Sequence, residues 1–113
     1  MRYVSTRGGA EPVGFADAMI NGLAPDGGLY VPSEMPAVSA DEFRHWSALS
    51  YADLATEIMS RFAPDMGRDV IAAACQDAYT AANFGSDEVA PVTRLGESSY
   101  LLHLSNGPTL AFK

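Results

Sequence analysis

Residues 104–113 read LSNGPTLAFK and carry the sequence's single lysine, Lys113, behind Leu110, Ala111 and Phe112. An amine approached by apolar chain is either a solvated surface charge or a group whose desolvation lowers its pKa. The second state makes a lysine competent for Schiff-base chemistry. The spacing alone leaves both readings open. The other candidates for chemistry are weaker. His45 and His103 are far apart and have no cysteine or carboxylate at ligand spacing, so no metal site is expected. Ser5, Ser98 and Ser99 lack the strand-turn-helix setting of a nucleophile elbow. The Arg7-Gly8-Gly9 and Asp26-Gly27-Gly28 stretches read as turns, since neither has the glycine and lysine spacing of a phosphate loop, and Arg7 and Asp26 are expected to lock the domain together through turn and hydrogen-bond geometry.

Elements must position these residues, and the pattern predicts them in order. Residues 2–6 (RYVST) have the β-branched and aromatic bias of a short strand, closed by Gly8-Gly9. From Pro12 the spacing of Phe15, Ala18, Met19 and Leu23 is helical, with Gly22 near the stop. Pro25, Asp26, Gly27 and Gly28 are turn residues, and LYVP after them reads as a second strand. Ser39 and Glu42 have the spacing of a capping box that opens a short helix through Phe43 and Trp46. Ser50 caps a second helix with an apolar face of Leu54, Ala55, Ile58, Met59 and Phe62. A third, continuous helix is expected to carry Val70, Ile71, Ala74, Cys75, Ala78, Tyr79 and Ala82 to a stop at Phe84-Gly85. After Pro91 the period changes, and residues 92–105 read as a β-hairpin around Gly96, Glu97 and Ser98. The fold class expected is α+β: a small, mainly helical domain with short strands and a C-terminal β-hairpin. An Asn106-Gly107-Pro108 turn and a buried apolar approach are then expected to hold Lys113.

Composition narrows the classes. At 113 residues the chain is long enough for one modest core. A net charge of −7, with scattered basic residues, speaks against nucleic acid. No apolar run is long enough to span a membrane, and the first residues lack the apolar core of a signal peptide. The lone Cys75 lies on an apolar helical face and reads as core filler in a reducing compartment, so a cytoplasmic location is expected.

Three stretches in register carry a resemblance: YVSTRGG (3–9), FADAMINGLAPDGGLYVPSEMP (15–36) and GPTLAFK (107–113). Together they resemble the N-terminal region of threonine synthase, a pyridoxal-phosphate enzyme and lyase of threonine biosynthesis that converts O-phospho-L-homoserine and water to L-threonine and phosphate. The resemblance implies that Lys113 is the catalytic lysine that bonds the cofactor as a Schiff base, with Phe112 beside the cofactor. Many members have LFHGPT where this chain has LSNGPT, so Ser105 and Asn106 depart from the common pattern. The family continues past the lysine into a fold-type II catalytic region with its phosphate loop. Residues 1–98 are thus expected to form the N-terminal domain, and residues 99–113 the first strand and lysine motif of the catalytic domain. The remainder of that domain and O-phospho-L-homoserine are the implied partners. Alone, the 113 residues are expected neither to bind pyridoxal phosphate nor to make threonine. The alternative is a free-standing, non-catalytic binding or regulatory module derived from this domain.

Overall fold

The computed structural model describes residues 1–110. Strand β1 (Tyr3–Ser5) pairs antiparallel with β2 (Tyr30–Pro32), with Val4 opposite Val31. The chain between them forms helix α1 (Phe15–Asn21), which stops at Gly22, where φ is +70°. Such a φ suits a residue without Cβ and is costly for any other. Helices α2 (Ala40–Trp46) and α3 (Tyr51–Phe62) follow. A 3₁₀ turn (Pro64–Met66) leads into α4 (Arg68–Ala78) and α5 (Ala81–Phe84). Strands β3 (Val92–Arg94) and β4 (Tyr100–Leu102) close a separate antiparallel hairpin. The α+β class and the C-terminal hairpin are as the sequence predicts.

The core sits between α3 and α4. Ala52, Ala63, Ile71 and Cys75 are buried together, and Phe15, Ala55, Met66 and Tyr79 pack around them. Cys75 is 2% exposed, with its thiol 3.7 Å from the Met59 sulfur, and so fills the core as expected. The small sheet is tied to this core by Tyr3. Its ring meets Phe15 edge-on at 5.6 Å, and its hydroxyl donates to the Phe62 carbonyl at 3.0 Å. Burial, and then the nearby Asp65, push the Tyr3 phenol above its ordinary pKa.

Two expectations need correction. The apolar face of α3 divides. Ala52 and Thr56 are its buried residues, whereas Ile58 and Met59 remain more than a third exposed. The continuous helix to residue 84 is instead broken at Tyr79-Thr80. Thr80 accepts from the Asn83 amide, starting a new helix, and the Asn83 side chain donates to the Asp77 and Ala78 carbonyls. Those carbonyls would otherwise be orphaned at the end of α4. A side-chain cap therefore overrides an apolar period that runs on without interruption.

Candidate functional site

Both residues expected to act on a cofactor, Phe112 and Lys113, lie outside the described residues. What is described is the chain that leads to them. β4 runs out through His103, whose Nε2 is 2.8 Å from the Thr93 hydroxyl and whose amide donates to the Pro91 carbonyl. The turn before the lysine holds Gly107 and Pro108 as expected. It closes between the Gly107 carbonyl and the Leu110 amide at 2.9 Å, around Pro108 and Thr109, and leaves Asn106 just ahead of it. A Cβ added at Gly107 would stand 3.4 Å from the Phe84 ring, so α5 seats this turn.

Burial of the approach is not what the sequence predicts. Leu110 is 80% exposed and has φ of +55°. A left-handed leucine costs about 1–2 kcal/mol. Tyr100, Leu102 and Leu104 on the same path are half exposed or more. Among the described residues, a four-residue helix and the partner strand of the hairpin lie beside this segment. Neither is large enough to cover it.

The strongest polar construction lies elsewhere, around Asp26. Its carboxylate accepts from the Ser5 hydroxyl at 2.7 and 2.9 Å, from the Gly28 amide at 2.9 Å and from the Gly9 amide at 2.7 Å. Arg7 donates from its guanidinium to the Asp26 carbonyl at 2.9 Å, and from its backbone amide to Ser5 Oγ at 3.1 Å. The Ser5 hydrogen bond first, then the Gly28 amide, hold the Asp26 carboxyl below the usual range. Arg7 and Asp26 thus lock the two glycine turns together, as a structural clasp.

Sequence reasoning also missed a groove of about 460 Å³ between α2, α3 and the segment 35–38. Met35, Val38, Phe43, Trp46, Leu54 and Ile58 line it. Arg61 closes one side, its guanidinium 4.7 Å from the Trp46 ring centre, ion-paired with Glu42 and donating to the Ala37 carbonyl at 3.0 Å. The groove draws on three separated segments, so no local period could announce it.

All six arginines are engaged: Arg2 with Pro12, Arg7 with Asp26, Arg44 with Asp41, Arg61 with Glu42, Arg68 with Glu57, and Arg94 with Gly96 and Glu97. No group of three His, Cys, Asp or Glu among the described residues could hold a metal ion, and no described helix is long and apolar enough to cross a membrane.

Comparison with known proteins supplies what this geometry does not. Residues 2–79 match the family model described as threonine synthase N terminus. Over its whole length the chain is 42% identical to threonine synthase of Corynebacterium glutamicum, of which it covers 24%. It is 42% identical to threonine synthase of Methylobacillus glycogenes, covering 100% of this chain and 25% of that one. Among solved structures, a pyridoxal-phosphate-bound threonine synthase from Brucella melitensis superposes with a TM-score of 0.88 at 38% identity. That likeness covers 99% of this chain and 24% of the other. The chain therefore spans about a quarter of the length of these relatives.

Proposed function

The chain belongs to the threonine synthase family, matching its N-terminal part, and we propose on that premise that it serves an enzyme converting O-phospho-L-homoserine and water to L-threonine and phosphate. Pyridoxal phosphate is the proposed cofactor of that enzyme, and Lys113 the amine to which it attaches, with Phe112 beside it. The observation that carries the reading is likeness to threonine synthases along the whole chain, GPTLAFK included. Every guanidinium among the described residues is already paired, which supports the phosphate being held by another part of the enzyme. Phosphate and ring are therefore assigned to the rest of the enzyme, and this chain contributes the lysine and its strand.

In the proposed division, residues 1–98 form the N-terminal domain and β4 opens the catalytic one. The boundary falls in the hairpin loop, where the Leu95 amide donates to the Ser99 carbonyl at 2.9 Å. A two-stranded sheet with three-residue strands has little stability alone. Exposed apolar side chains on β4 and beyond it support its joining a larger sheet, and they weigh against a free-standing module. The proposed location is the cytoplasm.

Lys113→Ala in the full-length enzyme tests the assignment. Threonine formation should fall at least about a thousandfold, because the lysine supplies covalent and proton-transfer chemistry together. The visible absorbance of lysine-bound cofactor should vanish with it. Near-normal turnover without Lys113 would end the assignment. Asn106→His, outside the observed turn, should leave turnover within about twofold, in line with a surface change away from bonding partners.

A further inference from the structure

The β1–β2 ribbon is two-faced in an unusual sense. Tyr3 and Ser5 point inward and are buried. The outer face is apolar as well. Val4 stands opposite Val31 in the register, Leu29 lies two residues before Val31, and Leu23 pairs with Leu29 in an antiparallel bridge. Leu23 is 57% exposed, Leu29 61% and Val31 39%. An antiparallel ribbon with one face on the core ordinarily shows polar side chains on the other. This one presents three exposed aliphatic residues, Leu23, Leu29 and Val31, with Val4 half-buried beside them.

The loop that presents them is rigid. Between Leu23 and Leu29 the chain is pinned by the Asp26 carboxylate to Ser5, Gly9 and Gly28. The Ala24 amide donates to the Gly28 carbonyl, and the Thr6 amide to the Leu29 carbonyl, each at 2.9 Å. A Cβ at Gly28 would overlap the Ser5 hydroxyl, so the clasp admits no side chain there. Holding a loop in one shape before contact removes an ordering cost from association.

We propose that this outer face, Leu23, Leu29, Val31 and Val4, is the surface on which the catalytic region of the full-length enzyme docks. The inference rests on the reading that such a region accompanies this chain. About three quarters of the matched relatives' length lies outside the matched span, so a large body is available to cover the face. The exposed patch is on the order of a few hundred Å², whereas a stable dimer buries about 800 Å² per partner. A patch this small serves better where linkage in one chain supplies a high effective concentration. A net charge of −7 disfavours an anionic membrane surface as occupant.

Site-specific thiol labelling tests the surface without relying on activity. Leu29→Cys is prepared in the full-length enzyme and in the 113-residue chain, with Val31→Cys as a second variant should the first fold poorly. Labelling at the new position is resolved from that at Cys75 by peptide mass. In the full-length enzyme it should be at least about tenfold slower than in the short chain, as expected for a closed contact that must open to react. Equal rates in the two proteins would overturn the docking. Protection that appears in the short chain as its concentration rises would overturn it in favour of a second copy. A full-length enzyme that makes threonine while position 29 reacts freely would defeat this surface and leave the proposed function standing. Loss of activity in Lys113→Ala with position 29 still protected separates the two claims from the other side.

Discussion

At Ser5 the hydroxyl both donates to Asp26 and accepts from the Arg7 amide, inside a residue that is buried. Ser5→Ala removes both bonds, leaving the Arg7 amide without this acceptor and Asp26 with only its two glycine amides, and should cost about 1–2 kcal/mol. In a chain of this size that lowers the thermal midpoint by about 5–10 °C, read by circular dichroism. Ser60 is the opposite case. Its buried hydroxyl oxygen has no hydrogen-bond partner among the described residues. Ser60→Ala removes an unpaired polar atom, so the midpoint should hold or rise by a few °C. Acid should act through two carboxylates. The Ser39 amide and hydroxyl, followed by Arg61, hold Glu42 down to about 2 from an ordinary 4.5. Asp26 is lowered in the same direction. A group depressed in the folded state stabilises fully above its unfolded pKa and loses that contribution as pH falls through the folded one. For Glu42 the loss thus falls between pH 4.5 and about 2. Urea unfolding should show stability falling through that window, and Glu42→Gln should flatten the fall.

Among the elements, α2 shows local sequence at its most direct. Ser39 and Glu42 form both halves of the capping box: the Ser39 amide donates to Glu42 at 2.7 Å and the Glu42 amide to Ser39 at 3.2 Å. Ser39→Ala should cost about 1 kcal/mol. It should also raise the Glu42 pKa toward the ordinary value, so the acid-dependent loss becomes shallower in the same urea series. A cap is legible because its partners are three residues apart. The strand that ends before Gly8-Gly9, the stop at Gly22 and the hairpin loop are legible for the same reason. The break between α4 and α5 is not, because Thr80 and Tyr79 fit a continuing helical period. What ends it is the reach of the Asn83 side chain back to Asp77 and Ala78.

For the whole molecule, the core is small: four buried side chains between α3 and α4 with half-buried neighbours around them. Ile71, 3% exposed, is the largest of the four. Ile71→Ala should cost about 2–5 kcal/mol. Domains have about 5–15 kcal/mol to lose, so the loss is a large share of the total and the thermal midpoint should fall by roughly 10–30 °C. The unaltered residues 1–84 should melt cooperatively without cofactor, since the capped helices, core and small sheet are interlocked through Tyr3 and Asp26. A broad melt, followed by circular dichroism, would contradict this.

The sequence by itself determined the elements whose bonding is local, namely the caps, glycine stops and turn residues, and through three short motifs it determined the family. Tertiary structure decided what local pattern cannot encode. The apolar stripe of α3 is shared between a core and a groove because two different neighbours lie against it. Leu110 reads as part of a buried approach, but burial needs a covering body and the hairpin has too little mass beside it to provide one. Asp26 reads as a turn residue. With Arg7 it is also expected to lock the domain, but its partners appear only when folding brings Ser5 and Gly9, 21 and 17 residues away in sequence, to one carboxylate. A hydrogen bond across such a separation leaves no period in the chain, and only the packed fold brings its partners together.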